Sequence, residues 1–326
     1  MQLNRRRFLT ASCTTLAVAA LSRPVLAEQY PVRPVRVIVP FAAGGPNDVA
    51  ARVIAQGLSD QLGKQFFVEN IGGAGGNIGA GQAARAQPDG HTIFVASPSY
   101  VANPTLFETV PYDVQKSFDA VTLAATAPTL LTVHPSIQAK SVKDLVALIK
   151  ASPGKFSYAS PGAGTPPHLL GELFRLSLEL DIVHVPFNGG GAAIGSTLAG
   201  HTPVSFGALP PAIQHVRENK LRALALTSKT HSEALPGVPS IAEAGYPDIA
   251  ADIWTAVLVP AGTPKEYIGL LQREIAKLIA RTEVKDRLAG LGYEPVANSS
   301  DECAAYLASE YRKWGKVIRD AGIKAS

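Results

Sequence analysis

The sequence predicts an α/β protein of two lobes, with a mostly parallel sheet in each lobe. Short apolar segments alternate with segments whose apolar residues recur at helical spacing, a pattern typical of parallel sheets. Six predicted strands run into loops of small and polar residues. Two segments, near 124–129 and near 248–254, join two separate sets of strands. Together these observations favour a body with a binding cleft between its lobes.

The first set of strands begins at Val35–Val39, where the apolar residues indicate a buried parallel strand. Apolar residues then recur at helical spacing over 49–62, and Gly63 indicates where that helix ends. Further strands are predicted at 66–68 and 92–95. This alternation of strand and helix forms the first lobe.

The second set of strands is separated by helical patterns with recognisable starts. Ser141, with Asp144 three residues later, resembles a capping box that has Asp in place of Glu. Thr165 and Pro166 suggest an N-cap followed by proline at the first helical position. The predicted strands of this set are 129–133, 156–159, 182–185, 204–206 and 221–226.

The chain then returns to the first lobe. A strand is predicted at 253–259, a long helix from 263–266, and a final helix capped by 299–302. Two lobes joined by two crossings could close around a ligand by hinge motion. The expected division is lobe 1 at 28–127 and 252–326, and lobe 2 at 128–251.

Residues 1–27 resemble an export signal of the twin-arginine type. Three arginines at 5–7 precede an apolar segment at 9–21, and 25–27 form a cleavage site of small residues. The alternative is a membrane anchor, but the apolar segment is shorter than the roughly 18–20 residues that a span needs. We therefore expect export and cleavage of this signal peptide after Ala27.

Cleavage would leave a chain with no formal net charge. The leader contains four arginines and no acidic residue, so 26 basic and 26 acidic residues follow it. This balance indicates no nucleic-acid or anionic-membrane partner.

Cys303 would be the remaining cysteine, which allows no internal disulfide. Its helical apolar neighbours favour a buried thiol over the alternative, a nucleophile.

The loops that follow the six strands contain one charged residue, Asp48. Five of them lead into a predicted helix, and the loop after Ser97 does so less clearly. Backbone N–H groups and helix N-termini can together hold an anion without a positively charged side chain. These loops therefore predict a binding cleft built largely from backbone. They are 41–48, 70–79, 97–104, 160–168, 187–193 and 207–211.

The sequence contains no recognisable catalytic or cofactor motif. Seven histidines are scattered without metal-ligand spacing, and no nucleophile elbow or phosphate-binding loop occurs. Residues 79–84 fit a relaxed dinucleotide fingerprint, but no strand directly precedes them and no acidic residue follows at the ribose position. We therefore predict no cofactor, no metal and no enzymatic activity.

Taken in order, these segments resemble the Bug family, the periplasmic solute-binding proteins of tripartite tricarboxylate transporters. Each motif alone is weak, but the ordered set covers nearly the whole chain after the leader. The segments are PFAAGGPND at 40–48, ENIGGAGGNIG at 69–79, SPGAGTPPHL at 160–169, VPFNGGG at 185–191, Pro239 with EAG at 243–245, and WTAVLVPAGTP at 254–264.

The resemblance implies a Venus-flytrap body of the type II-like periplasmic-binding-protein class, located in the periplasm. It also implies a small carboxylate ligand: a di- or tricarboxylate, an acidic amino acid or an aromatic acid. The carboxylate would lie against the loop at 41–48, and the loops at 160–168 and 187–193 would close over it. Membrane permease subunits would be the partners, and a monomer is expected by analogy.

The residues expected to bind the ligand lie in the six loops. Glycines permit tight turns and close approach to a ligand, and hydroxyl groups can donate to a carboxylate. The predicted ligand-binding residues are Phe41, Ala42, Gly44, Gly45, Asp48, Asn77, Ser97, Tyr100, Ser160, Gly164, Thr165, His168, Phe187, Gly190, Gly191 and Gly207.

For several of these residues, the alternative to ligand binding is a purely structural role. Asp48 lies in a first helical turn, where it could interact with the helix dipole instead of a ligand. Asn77 could belong to a flexible turn, and His168 could make only local hydrogen bonds. The hydroxyl residues could be N-caps, and the aromatic residues could be part of the core.

Three functions remain open from the sequence. The first is a binding protein that delivers a carboxylate to a membrane transporter. The second is a sensor subunit that presents its ligand to a membrane kinase, and the third is a periplasmic enzyme on the same body. Transport and sensing would use the same cleft, so the residues do not separate them.

Overall fold

The computed structural model describes residues 30–43, 46–228, 232, 235–290 and 292–324. The chain divides into two compact units, Met1–Val32 and Arg33–Ser326. The predicted signal peptide and its cleavage site lie outside the described residues. Among the described residues, no helix has both the length and the apolar character that a membrane-spanning segment needs.

The sheet begins with three parallel strands. β1 (Val35–Val39) lies between β2 (Phe66–Asn70) and β3 (Thr92–Ala96). Val35 and Val39 are completely buried, which confirms the predicted buried strand. The connecting helices are α1 (Pro46–Leu62), α2 (Asn77–Ala84) and α3 (Pro98–Leu106).

A long strand, β4 (Phe118–Val133), belongs to both parts of the sheet. Its first part, residues 118–128, pairs antiparallel with β9 (Asp252–Pro260), and β9 pairs antiparallel with β3. Its last residues, 129–133, pair antiparallel with β7 (Val204–Ala208) and β8 (Arg222–Leu226). The change of partner occurs between Pro128 and Thr129.

The second part of the sheet repeats the parallel arrangement. β5 (Phe156–Ser160) lies between β6 (Ile182–Pro186) and β7 and is parallel to both. The helices of this part are α4 (Val142–Ala151), α5 (Pro166–Ser177), α6 (Gly190–Leu198) and α7 (Leu209–Arg217).

The C-terminal elements return to the first part of the sheet. α8 (Lys265–Ile279) and α9 (Thr282–Gly290) precede β10 (Glu294–Pro295), which pairs antiparallel with β4. α10 (Ser300–Ala321) closes the chain behind a complete capping box between Ser299 and Glu302, as predicted. At α4 the box is incomplete: Ser141 accepts from the Asp144 N–H, but the Asp144 carboxylate accepts from the Lys140 N–H.

The predicted parallel strands form the core of each part of the sheet, and β9 in the first part and β4 in the second add antiparallel neighbours. A parallel pair requires a crossover that returns the chain to the same edge of the sheet, as α1 does between β1 and β2. β4 and β9 instead carry the chain between the two parts of the sheet in opposite directions. Their neighbours are therefore antiparallel, and the sheet is mixed. The predicted strand at 129–133 is only the end of β4. The earlier part of β4 was not predicted as a strand because it is rich in Ala and Thr and contains Pro128.

A buried carboxylate joins α10 to β9. Glu310 is 4% exposed and accepts hydrogen bonds from the indole N–H of Trp254 at 3.1 Å and of Trp314 at 2.7 Å. Lys313 Nζ lies 2.6 Å from the second carboxylate oxygen of Glu310.

Cys303, also on α10, is completely buried, and this burial raises the pKa of its thiol to about 12. Cys303 is therefore a structural thiol, as predicted.

Candidate ligand cavity

A cavity of about 970 Å³ lies where the loops of both parts of the sheet meet. One wall comes from the end of β1, the start of α1 and the region of α3. The opposite wall comes from the loop before α5, with contributions from α6, β7 and the two long strands. The lining residues are Phe41, Ala42, Ala43, Asn47, Val49, Gly75, Ser97, Pro98, Ser99, Asn103, Leu106, Phe107, Ala127, Pro161, Ala163, Gly164, Thr165, Pro166, Pro167, Gly190, Ala208, Ile253 and Tyr293.

The loop after β1 is held in place by a buried carboxylate. Asp48 is 2% exposed, accepts from Asn70 Nδ2 at 2.8 Å, and is paired with Arg52 Nε at 2.9 Å. The same Asn70 amide group donates to the Phe41 carbonyl at 3.0 Å. Asp48 does not line the cavity. Its described contacts position the Phe41 backbone, which does.

The wall formed by α3 has a layer of hydrogen-bonded polar groups behind it. Asn103 Nδ2 donates to the Gly75 carbonyl at 2.9 Å and to Asn77 Oδ1 at 2.8 Å. Asn77 also accepts from the Tyr112 hydroxyl at 3.2 Å. The Tyr100 hydroxyl donates to a backbone carbonyl, and burial raises its pKa. Asn77 and Tyr100 therefore support the wall without lining it.

The loop before α5 is organised by two histidines. The Gly164 N–H donates to His168 Nδ1 at 2.9 Å, and Ser160 Oγ lies 2.7 Å from His184 Nε2. The two imidazole rings stack with their centroids 3.7 Å apart. Thr165 Oγ1 donates to the Gly162 carbonyl at 2.7 Å and makes no side-chain cap to α5. This network fixes the backbone that faces the cavity.

Both histidines favour the neutral form. Burial lowers the pKa of His168, and burial together with the neighbouring His168 lowers the pKa of His184 to about 4. The contact of His168 requires a neutral ring, because its Nδ1 atom accepts the hydrogen bond from the Gly164 N–H. Glu172, paired with Arg175 at 2.7 Å and bonded to the Tyr158 hydroxyl, faces them from α5.

Six of the predicted site residues line the cavity, eight lie outside it, and Gly44 and Gly45 fall outside the described residues. Gly207 is buried and does not line the cavity, whereas its neighbour Ala208 does. Those that line it are Phe41, Ala42, Ser97, Gly164, Thr165 and Gly190. Those that do not are Asp48, Asn77, Tyr100, Ser160, His168, Phe187, Gly191 and Gly207.

Several lining residues were not predicted. Asn47, Ser99 and Asn103 lie within loops that the sequence had singled out, so their position gave a usable signal. Tyr293 follows α9, a helix with few apolar residues that the sequence pattern did not predict, and nothing in the sequence connects it to the loops. Ile253 lies on β9 and reaches the cavity because β9 pairs with β4, a pairing that the sequence did not predict.

Asn47 is the polar side chain whose surroundings point most clearly to a ligand. It is 7% exposed, it lies in the first turn of α1, and its Nδ2 atom has no hydrogen-bond partner among the residues that the structure describes. A buried amide donor without a partner is costly unless something else accepts from it. Among the described residues, no group of three or more His, Cys, Asp or Glu could hold a metal ion.

Comparison with known proteins identifies the family. The sequence model of the family described as the tripartite tricarboxylate transporter family receptor matches residues 50–323. Protein BugT of Bordetella pertussis is 36% identical over 324 residues, which cover 99% of each chain. Among solved structures, Rpa4515 of R. palustris with adipate has a TM-score of 0.76 at 31% identity and covers 90% of this chain and 99% of its own.

A second solved structure is MatC from Rhodopseudomonas palustris with bound malate. It has a TM-score of 0.73 at 30% identity and covers 89% of this chain and 100% of its own. These likenesses confirm the two-lobed periplasmic-binding-protein fold and the resemblance to Bug proteins. The chain belongs to the receptor family of the tripartite tricarboxylate transporters.

Proposed function

We propose that this protein is a periplasmic solute-binding protein that captures a small carboxylate in the cavity and delivers it to a tripartite tricarboxylate-type transporter. The observation that carries the proposal is the cavity itself. Both parts of the sheet line it, and Asn47 Nδ2, which has no partner within the described part of the chain, offers a donor for a ligand oxygen. The bound adipate and malate of the two relatives support a carboxylate ligand.

A binding role without catalysis fits the cavity chemistry. Its described lining has no nucleophile paired with a base and no acidic residue that could act as a general acid. Neither His168 nor His184 lines the cavity: His168 accepts from the Gly164 N–H, and His184 Nε2 lies against Ser160 Oγ. We therefore propose capture and release of an unchanged ligand, with membrane permease subunits as the partners.

The change of partner along β4 supports a hinge. Pro128 pairs with Asp252 of β9, whereas Thr129 pairs with Ala208 of β7. We propose lobe 1 at 28–127 and 252–326 and lobe 2 at 128–251, joined there. Closure about this point would bring the loops at 41–43 and 161–165 together over the ligand. The monomeric state and cleavage after Ala27 belong to the same proposal.

Isothermal titration calorimetry with a panel of carboxylates tests the function. The panel contains citrate, malate, adipate, glutamate, octanoate and benzoate. We expect one-to-one binding with a dissociation constant in the micromolar range or below, about −8 kcal/mol or better. Recovery of the unaltered acid after long incubation would separate binding from catalysis.

A pair of variants tests whether the ligand binds in the cavity. Ala163 is exposed and lines the cavity, and Ala151, at the end of α4, is also exposed but does not line it. Ala163→Trp fills the cavity mouth and should abolish binding, whereas Ala151→Trp should leave it unchanged. Loss of binding in both variants, or in neither, would contradict the proposed site.

A further inference from the structure

We propose that Tyr293 is a specificity-determining residue of the cavity, whose hydroxyl group donates a hydrogen bond to an oxygen at the end of the ligand opposite to the carboxylate near Asn47. It selects acids with an oxygen group at both ends over acids with one apolar end. This inference rests on the proposed function and deepens it. Tyr293 lies between α9 and β10, outside the six loops that the sequence singled out.

The backbone of Tyr293 is held in place by the end of α9. Gly292 has a φ of 75°, in the left-handed region, and its N–H donates to the Ala289 carbonyl at 2.9 Å. The Tyr293 N–H donates to the Leu288 carbonyl at 2.9 Å, which completes a Schellman motif. The next two residues form β10, which pairs with β4. Tyr293 is therefore fixed from both sides.

The ring of Tyr293 closes one end of the cavity. Tyr293 is 3% exposed and belongs to a buried apolar cluster that includes Val53 of α1 and Ala127 of β4. Val49 lies one turn before Val53 on the same face of α1, and both Val49 and Ala127 line the cavity together with Tyr293. All these residues belong to the proposed lobe 1, so this end of the cavity does not depend on hinge closure.

The hydroxyl group of Tyr293 is buried next to a second hydroxyl group. Thr255 lies two residues after the lining residue Ile253, on the same face of β9. Neither Tyr293 Oη nor Thr255 Oγ1 has a hydrogen-bond partner of normal geometry among the described residues. Burial raises the pKa of Tyr293, against a smaller opposing effect of the Thr255 hydroxyl, so Tyr293 keeps its proton and can donate it.

An oxygen at the far end of the ligand would satisfy this buried donor. Asn47 lies in the first turn of α1, and Val53, in the cluster of Tyr293, follows six residues later, about 9 Å along the helix axis. An acid whose carboxylate lies near Asn47 and whose chain spans the cavity can place a second oxygen near Tyr293. An apolar end in the same position leaves the hydroxyl unpaired, and such a site discriminates against analogues that lack the polar group.

The test compares acids that differ by one terminal carboxylate. Adipate and hexanoate share one chain length, and suberate and octanoate share another. In calorimetric titrations of the full protein, at least one dicarboxylate should bind about tenfold or more tightly than its monocarboxylate partner. Tyr293→Phe keeps the ring and removes only the hydroxyl group. It should reduce that affinity ratio by about tenfold by weakening the dicarboxylate, with the monocarboxylate unchanged.

A matched control removes a hydroxyl group elsewhere. Tyr311 lies on α10 and does not line the cavity, so Tyr311→Phe should leave both affinities unchanged. Without ligand, Tyr293→Phe should be as stable as the parent protein or more stable in urea unfolding, because it removes a buried hydroxyl that lacks a partner. A destabilised Tyr293→Phe variant with an unchanged affinity ratio would assign the hydroxyl a purely structural role and overturn the inference.

The remaining outcomes separate the inference from the proposed function. If the monocarboxylates bind as tightly as the dicarboxylates, or if none of these four acids binds while another carboxylate does, the inference is wrong and the proposed function stands. An equal loss of affinity for both acids of a pair in Tyr293→Phe also overturns the inference. If no carboxylate binds at all, both the inference and the proposed function fail.

Discussion

Replacing Glu310 should destabilise the protein strongly, because two tryptophans depend on its carboxylate. Glu310→Leu introduces an apolar side chain of similar size and removes the acceptor for the Trp254 and Trp314 indoles. Each buried N–H left without a partner costs about 1–3 kcal/mol. The lost ion pair adds little, since Lys313 is 28% exposed and can return to water. We therefore expect a loss of about 4 kcal/mol, from two such penalties.

The assay is urea unfolding followed by far-UV circular dichroism, which does not depend on the tryptophans. Glu310→Gln retains an acceptor oxygen and should lose less than half as much as Glu310→Leu. A double-mutant cycle with Trp314→Phe should show an interaction energy of about 1–2 kcal/mol. A Glu310→Leu variant within about 1 kcal/mol of the parent, or strict additivity in the cycle, would refute the reasoning.

Two further predictions concern the second part of the sheet. A Cβ on Gly171 of α5 would lie 2.2 Å from the Tyr158 ring, so Gly171→Ala should cost about 1–3 kcal/mol. A Cβ on Gly195 of α6 meets nothing within 4 Å, so Gly195→Ala should be neutral or stabilising in the same urea titration. Because the pKa values of His168 and His184 are lowered in the folded state, their contribution to stability is present above pH 6.5 and is lost as the pH falls towards about 4. The melting temperature should fall over that window, and His184→Gln should make the fall shallower; a flat profile in the parent protein would contradict this.

Much of the fold could be predicted because its parallel strands carry strong local signals. β1 has four buried valine and isoleucine residues around Arg36, and α10 begins with a complete capping box at Ser299. The antiparallel pairing of β4 with β9 could not be predicted in the same way. It depends on which strands meet across the two parts of the sheet, and residues about 130 positions apart in the chain give no local indication of that.

The candidate site was predictable at the level of loops more than of side chains. The sequence singled out the segments that surround the cavity, because strand ends meet helix starts there. It could not show which way each side chain points. Asp48 lies beside Asn47 in the same turn, yet Asp48 is engaged with Arg52 and Asn70 whereas Asn47 lines the cavity. His168, predicted to contact the ligand, accepts from the Gly164 N–H and is not among the lining residues.

The most direct test of the central claim is a crystal structure of the protein grown with its tightest-binding acid. We predict that the ligand lies in the cavity between the two parts of the sheet, with a carboxylate oxygen within hydrogen-bond distance of Asn47 Nδ2. The loop before α5 should contact the same molecule from the opposite wall. An acid bound on the outer surface, with the cavity holding only solvent, would contradict the account.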